Sequence, residues 1–456
     1  MWIASLSDPE YLKNRQASWE AVELRLDLFC SWNIEEVKRW KEEAGCPMVV
    51  TLRPSSQGGK FTGSEAQREK LLLELLQLQP AFMDIEITMG ETFLQKVFQK
   101  AGDTKIILSY HDFERVPQKL DELMQTMQKY PAYAYKLAAL VNSTTEAMAL
   151  LLFGKQHPKA SVICMGEKGA FARVLGPCVG NVLNYAAAGE GTAPGQPAFD
   201  ELENIYKVAH LTTSTALYGL IGDPVAKSRG HIYHNEAFEK NQEDGLYVKM
   251  QVEEEELPTF FPLAKALGFK GLSVTMPLKE KVFPFVEEVE PSSLGIGALN
   301  TLKFYGDKIS GMNTDGIGAL DAIEKRFKVE GKTLIVIGAG GAARAIVKEA
   351  LLRGARVWVL NRTVERAQKL AEEFHCFAGG LGDFPERFDI VVHTTPDSMP
   401  IDKRWLQKAS LAMDIVYVPK ETLFLQEAKA CGCALVYGEE MFYNQALAQR
   451  KFWLKA

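Results

Sequence analysis

At 456 residues the chain is too long for one hydrophobic core, and about two or three domains are expected. Its composition, 47% hydrophobic and 24% charged, is that of an ordinary globular protein, and a net charge of −6 offers no footprint for nucleic acid or an anionic membrane. No apolar run reaches the roughly 18 residues that span a bilayer. The opening "MWIASLSDPEY" lacks a basic n-region and an apolar h-region, so no signal peptide is expected, and a cytoplasmic location follows.

The seven cysteines are scattered. Cys431 and Cys433, the close pair, suit neither a zinc knuckle nor a redox CxxC, and all are expected to be reduced thiols. His231 and His234 stand at i, i+3 without acidic or cysteine neighbours, so no metal site is expected.

Along the first 190 residues, strand-like runs recur at "WIASLS", "VELRLDLF", "MVVTLRP", "FMDIEI", "KIILSYHDF", "YAYKLAAL", "SVICMG" and "NVLNYAAA". Helical patterns such as "SEAQREKLLLELLQL" and "GETFLQKVFQKAG" separate them. Eight strands with intervening helices predict a parallel (β/α)₈ barrel over 1–208, with an open doubly wound sheet as the alternative. In "YKLAAL" one lysine, Lys136, interrupts an apolar strand. Either its side chain snorkels to the surface, or its amine is wanted neutral as a nucleophile. Glu23, Arg25, Arg53, Asp84, Glu86 and His111 also sit at expected strand ends, where barrel enzymes gather their active groups. Arg173 and the "TAPGQP" loop follow near the last two strands.

The Gly- and Pro-rich "GEGTAPGQPAFDE" ends this pattern, and "LENIYKVAHLTTST" is expected to form a helix and a connector. Alternation resumes over 216–320. A second α/β domain over 321–438 begins with "KTLIVIGAGGAARAIVKEALLRGARVWVLNRT", a βαβ unit with a glycine-rich first turn. The final "EEMFYNQALAQRKFW" reads as an amphipathic helix, and 439–456 is expected to pack back on 216–320, giving a two-lobed α/β dehydrogenase with a Rossmann lobe.

In "VIGAGGAARA", Gly338 permits the tight turn, and Gly340 and Gly341 let backbone approach a pyrophosphate at the helix N-terminus. Ala339 and Ala342 belong to the same loop, and Ala343 takes the position of a third glycine. After the next strand come Asn361, Arg362 and Thr363, where an NAD site would place a carboxylate for the ribose. Arg362 suits a 2′-phosphate instead, so NADP is the expected cofactor. Thr275, Lys279, Asn300, Asn313, Thr314 and Asp315 follow apolar strand ends. A Lys279/Asp315 pair beside a nicotinamide could hold a hydroxyl and relay its proton, although an exposed ion pair would look the same.

The motifs "DPVAKS…HN", "SVTMPLK", "ALNT", "NTDG", "GAGGAARA", "NRT" and "EEMFYNQA" occur in the order seen in shikimate dehydrogenases, which the chain resembles from Ala216 onward. The resemblance implies NADPH-dependent reduction of 3-dehydroshikimate to shikimate. It implies Lys279 and Asp315 as the catalytic pair, with Ser228, Thr275, Asn300, Tyr417 and Gln445 on the substrate and Gly438 among the cofactor residues. The family's loop carries a second serine and a proline where this chain has Gly230 and His231.

Residues 1–200 resemble type I 3-dehydroquinate dehydratases through "ELRLD", "TLRP", "SYHDF", "YKLA", "FARVLGP" and "TAPGQ". That resemblance implies Lys136 as a Schiff-base lysine and His111 as general acid and base. It implies Glu23, Arg25, Arg53, Arg173, Thr192 and Gln196 as substrate contacts. Gln57 stands where the family often has a glutamate in a mobile loop, and Thr192 replaces a usual serine while keeping the hydroxyl. A modest rate loss is expected from Gln57. The combined expectation is a bifunctional enzyme of consecutive steps, acting on 3-dehydroquinate, 3-dehydroshikimate and shikimate and on neither nucleic acid nor membranes. The alternatives are a shikimate/quinate dehydrogenase with a weakly active barrel and a ligand-sensing regulator.

Overall fold

The computed structural model describes residues 1–14, 19–189 and 191–455. The chain divides into two compact units. The first holds Met1–Leu220 and Pro224–Phe269; the second holds Ile221–Asp223 and the chain from Lys270 on.

In the first unit, eight strands lie side by side: β1 (Trp2–Leu6), β2 (Ala21–Arg25), β3 (Met48–Thr51), β4 (Phe82–Glu86), β5 (Lys105–Asp112), β6 (Ala134–Leu140), β7 (Ala160–Met165) and β8 (Asn184–Ala187). From β1 to β7 each pairs in parallel with its sequence neighbour, β8 pairs with β1, and β7 and β8 stand at the two ends of the sheet. Their residues are buried almost throughout, as expected of a parallel sheet covered on both faces. The helices α1 (Ile34–Glu43), α2 (Glu65–Gln77), α3 (Glu91–Lys100), α4 (Leu120–Met127), α5 (Thr144–Gln156) and α6 (Ala170–Leu175) follow successive strands. Inside, Ile3, Ala21, Val49, Phe82, Ile107, Ala134, Ile163 and Tyr185, one from each strand, form a packed apolar layer. The barrel reading holds over the open-sheet alternative.

Its last seam is closed by a side chain. The Asn181 carboxamide accepts from Val162 N at 3.1 Å and donates to Val162 O at 2.9 Å, so one side chain stands in for a strand residue. Leu183 N then donates to Ser161 Oγ at 2.9 Å. The expected strand "NVLNYAAA" therefore starts at Asn184, three residues late.

The expected helix from Leu202 is present but short and not α-helical. A single turn, α7 (Phe199–Glu201), runs into a π-helical turn over Leu202–Tyr206, and Lys207 at φ 53° stops it. The same unit continues through β9 (Ala216–Gly222), α8 (Gly230–Lys240), β10 (Gly245–Gln251) and α9 (Leu257–Leu267). Helix α9 packs on α5, and Thr144 Oγ1 donates to Gln251 O at 2.6 Å.

The second unit begins with β11 (Phe269–Val274), β12 (Glu288–Val289), β13 (Thr301–Tyr305), β14 (Lys308–Met312) and α10 (Asp315–Glu324). Strands β11, β13, β14 and β12 are neighbours in that order. A second sheet follows, from β15 (Thr333–Ile337), α11 (Gly341–Leu352), β16 (Arg356–Leu360), α12 (Val364–Phe374), β17 (Phe377–Gly379), β18 (Ile390–His393), β19 (Leu411–Asp414), α13 (Leu423–Ala430) and β20 (Ala434–Val436). Its order, β17-β16-β15-β18-β19-β20, is the doubly wound 3-2-1-4-5-6 arrangement of dinucleotide-binding domains. The chain ends in α14 (Gly438–Leu454), which packs on α10 and β13, and Trp453 Nε1 donates to Leu302 O at 2.9 Å. Among the described residues no helix is long and apolar enough to cross a membrane.

Candidate active sites

Strand alternation aims Glu23 and Arg25, then Asp84 and Glu86, to one side of the barrel wall at i, i+2. One cavity at the C-terminal ends of the strands is lined by Glu23, Arg25, Arg53, His111, Lys136, Arg173, Thr192 and Gln196; of the strand-end groups anticipated above, Asp84 and Glu86 lie behind its wall rather than on it. Gln57 and Tyr185 line it as well.

Lys136 is 6% exposed, so its side chain does not snorkel. Nor is its setting apolar. Nζ donates to Asp84 Oδ2 at 3.0 Å, lies 4.0 Å from Glu23 Oε1, and sits 4.2 Å from the centre of the Tyr185 ring. Asp84, unassigned by resemblance, is thus the direct partner of the amine. Burial opposes its charge, but Arg53 and then Lys136 hold its carboxyl well below the usual range. Glu23 is held by Ser5 Oγ at 2.7 Å and Thr51 Oγ1 at 2.8 Å.

Arg53 is committed to the protein: Nη1 donates to Asp84, Glu86 and Ser109 Oγ at 2.6–3.0 Å, and Nη2 reaches Asp84 Oδ2 at 2.9 Å. Arg25 is likewise paired, through Nε and Nη2, with Asp27 at 3.0 and 2.8 Å. Arg173 differs. It is 5% exposed, and its nitrogens meet carbonyls, Cys164 O and Pro194 O, both at 2.9 Å. Burial pulls its pKa down to about 10. A buried guanidinium bonded to neutral carbonyls at a cavity wall can accept a carboxylate. The buried Tyr185 hydroxyl has no protein partner and remains available to a ligand.

Gln57 is buried, and its Oε1 accepts from His111 N at 3.0 Å and lies 3.3 Å from His111 Nδ1. Since a backbone N–H must donate, the atom facing it is oxygen, and Nδ1 must carry the imidazole proton. Nε2 is then the free base. Gln57 Nε2 donates to Thr88 Oγ1 at 2.7 Å and locks the amide. Burial, then Arg53 and Lys136, push the His111 pKa well below its ordinary value. The neutral ring therefore persists below pH ~6.5, where an unfolded histidine already binds a proton. On this term stability falls as pH drops below that value. In a histidine-detected NMR titration His111 is expected to stay neutral beneath pH ~6.5; titration at or above it would overturn the assignment.

In the second unit, Lys279 follows β11 and Asp315 opens α10, where the helix dipole favours its charge. Lys279 Nζ meets Asp315 Oδ2 at 2.5 Å. Asn300 Nδ2 donates to Asp315 Oδ1 at 2.8 Å and lies 3.4 Å from Gln445 Oε1. Asp315 N donates to Asn313 Oδ1 at 2.9 Å. The pair is thus set in a network of side chains, unlike a solvated surface bridge. Gln449, which no motif marked, supports it: its amide accepts from Ser273 Oγ at 2.9 Å and donates to Asn300 O at 3.2 Å. Thr275 stands at the same strand end, with its N–H on Ile221 O at 2.9 Å.

Gly338 has φ 118°, and a Cβ there would lie 2.4 Å from Thr394 Oγ1, so a glycine is required. A Cβ on Gly340 would meet nothing within 4 Å, and one on Gly341 only Ala298 at 3.7 Å. Open space beside these glycines, Ala339 and Ala342, at the N-terminus of the 12-residue α11, fits a pyrophosphate. Arg362 and Thr363 are exposed past β16, and Asn361 Nδ2 donates to Thr363 O at 2.8 Å. Tyr417 follows β19, with its ring 5.5 Å from that of Phe442. Gly438 packs so closely that a Cβ would lie 2.5 Å from Ile415 O.

Ser228 belongs to the first unit, and its Oγ accepts from Gly230 N at 3.2 Å. His231 cannot replace the missing serine as a charged donor, because burial and then Lys249 pull its pKa down to about 4.

Three family models match the chain: type I 3-dehydroquinase over 8–213, shikimate dehydrogenase substrate binding domain over 220–302, and shikimate/quinate 5-dehydrogenase over 321–417. The chain is 34% identical to the shikimate biosynthesis protein AroDE of Chlamydia pneumoniae, across 99% of itself and 95% of that protein. It is 32% identical to the chloroplastic bifunctional 3-dehydroquinate dehydratase/shikimate dehydrogenase of Arabidopsis thaliana, across 96% of itself and 78% of that protein. The structure of Thermus thermophilus shikimate 5-dehydrogenase in complex with NADP(H) and shikimate matches with a TM-score of 0.50 at 32% identity, covering 53% of this chain and 94% of that one. With a dehydratase model and two dehydrogenase models in one chain, and bifunctional relatives matched nearly end to end, the protein belongs to the bifunctional 3-dehydroquinate dehydratase/shikimate dehydrogenase family.

Proposed function

We propose that the chain catalyses two consecutive steps of the shikimate pathway, dehydration of 3-dehydroquinate to 3-dehydroshikimate and NADPH-dependent reduction of that product to shikimate. The observation that carries the first step is the buried Lys136, paired with Asp84 in a cavity that also holds a neutral imidazole and an arginine without a carboxylate partner. In this reading Arg173 seats the substrate carboxylate. Lys136 gives up a proton to solvent and attacks the C3 ketone, and the carbinolamine takes a proton on its hydroxyl and loses water to give an iminium. The iminium acidifies the C2 proton, His111 Nε2 takes it, and the C1 hydroxyl leaves with a proton returned by His111. Hydrolysis of the imine frees Lys136. The functional division is 1–208 for dehydration and 216–320 with 439–456 for binding the second substrate, with 321–438 for the cofactor.

For the second step NADPH supplies the hydride. Lys279 donates a proton to the ketone oxygen as it becomes a hydroxyl, and Asp315 orients the ammonium and holds the new hydroxyl. Ser228, Thr275, Asn300, Tyr417 and Gln445 are assigned to the substrate from their motifs. Incubation with 3-dehydroquinate and NADPH tests both steps at once. NADPH absorbance should fall, and a chain that oxidises NADPH only when given 3-dehydroshikimate would overturn the dehydratase half.

NADP is the cofactor in this reading, supported by the exposed Arg362 and by the NADP(H) complex of the Thermus thermophilus relative. A charge-assisted contact contributes about 1.5–3 kcal/mol, so NADP should exceed NAD at least about tenfold in kcat/KM. Arg362→Ala should erase most of that preference; equal weakening of both cofactors would reject the role.

A further inference from the structure

We propose that Arg68, on the outer helix α2, is a positioning residue for the imine-forming lysine; the proposal rests on the reading of Lys136 given above. Arg68 is among the largest fully buried side chains described. Its Nη1 donates to Glu86 Oε2 at 2.6 Å and to Leu52 O at 3.2 Å. Its Nε and Nη2 fork onto Glu65 at 3.1 and 2.6 Å. The other oxygen of Glu86 accepts from Arg53 Nη1 at 2.6 Å. Arg53 grips both oxygens of Asp84, and Asp84 Oδ2 holds Lys136 Nζ. An unbroken series of charged contacts thus runs from the outside of the barrel to the reacting amine.

Charge balance explains why the far end matters. In the hydrogen-bonded set around Lys136, the buried cations Arg53, Arg68 and Lys136 stand against the buried carboxylates Glu23, Asp84 and Glu86, beside the mutually paired Arg25 and Asp27 and the carbonyl-bound Arg173 of the same cavity. The charged and titratable groups around Lys136 are Glu23 and Arg25 from β2, Arg53 after β3, Asp84 from β4, His111 from β5, Arg173 from α6 and Tyr185 from β8. Without Arg68 the set carries one excess negative charge in a medium that screens poorly. Negative charge favours the ammonium form of Lys136, which cannot attack a ketone. Glu86, half released, would also draw Arg53 away from Asp84 and shift the carboxylate that aims Nζ.

The test uses the full chain. Borohydride trapping of 3-dehydroquinate on the Lys136 peptide is followed against pH in wild type, Arg68→Lys, Arg68→Met and Arg68→Met/Glu86→Gln, alongside dehydration kinetics and thermal midpoints. NADP-dependent shikimate oxidation by the same molecules reports that the chain is folded. Arg68→Met is expected to lower kcat about 10- to 100-fold, with KM moving less than about threefold, and to displace the acid limb of trapping to higher pH. Arg68→Lys should recover part of this, and neutralising Glu86 in the double variant should bring the acid limb back. An acid limb unchanged in Arg68→Met, with only the thermal midpoint lowered, would overturn the proposal and leave Arg68 a structural ion pair. If the Arg68 variants do not fold, Glu65→Gln at the exposed end decides by the same readout: it removes a negative charge, so a displacement of the limb to lower pH supports the proposal and an unmoved or alkaline limb overturns it. Absence of trapping in wild type would instead sink the reading of Lys136 itself.

Discussion

Lys136→Ala is expected to lower dehydration of 3-dehydroquinate by about 10⁴-fold or more, because it removes the covalent route rather than one contact. The remaining groups, His111 among them, can move protons, but without an iminium the C2 proton is not acidified. Shikimate oxidation in the same molecules should change less than about twofold, since Lys136 touches no residue of the Lys279 network. The companion measurement is mass spectrometry after borohydride reduction. Wild type with 3-dehydroquinate should gain covalent mass on the peptide containing Lys136, and the alanine variant should gain none. A Lys136→Ala protein that still dehydrates its substrate at a comparable rate would end the Schiff-base mechanism for this chain.

Lys279→Met should lower kcat for shikimate oxidation by about 10²- to 10⁴-fold, the range for losing a positioned general acid or base. Methionine keeps the length of the side chain and removes the proton, so KM should move far less. Asp315→Asn should act in the same direction, because the 2.5 Å contact loses its charge and Asn300 loses a carboxylate partner. Dehydration by the same variants is the control and should be retained. A Lys279→Met enzyme with a near-normal kcat and a raised KM would show that the lysine only binds, and the proton relay would have to be assigned elsewhere.

The alternation of apolar strands with helical patterns was legible in the linear chain because each element is about as long as its local pattern. So was the dinucleotide loop: Gly338 is needed for its φ and for a close approach that any glycine-rich turn after a strand announces. The barrel residues were legible for a related reason, since parallel strands place their C-terminal ends together once the topology is known. Partnership was not. Lys136 looked like an amine in an apolar strand, yet its partner is Asp84, 52 residues earlier and two strands away, and register does not mark the pair: it sets Lys136 level with Glu86, both opposite Ser109. Gln57 looked like a lost carboxylate, yet it fixes the tautomer of His111 from 54 residues away. Arg68 carried no signal at all, being one arginine in an amphipathic helix until packing buried it against Glu86. Even the closing seam of the barrel depends on the side chain of Asn181, which no strand pattern marks. Local hydrogen bonding and hydrophobic period are properties of neighbours in sequence, so the sequence by itself determined the elements, the order of the domains and the types of residue at each site. Which charge faces which is decided where distant segments meet in a low dielectric, so the pairing that sets each group's protonation belongs to the tertiary structure.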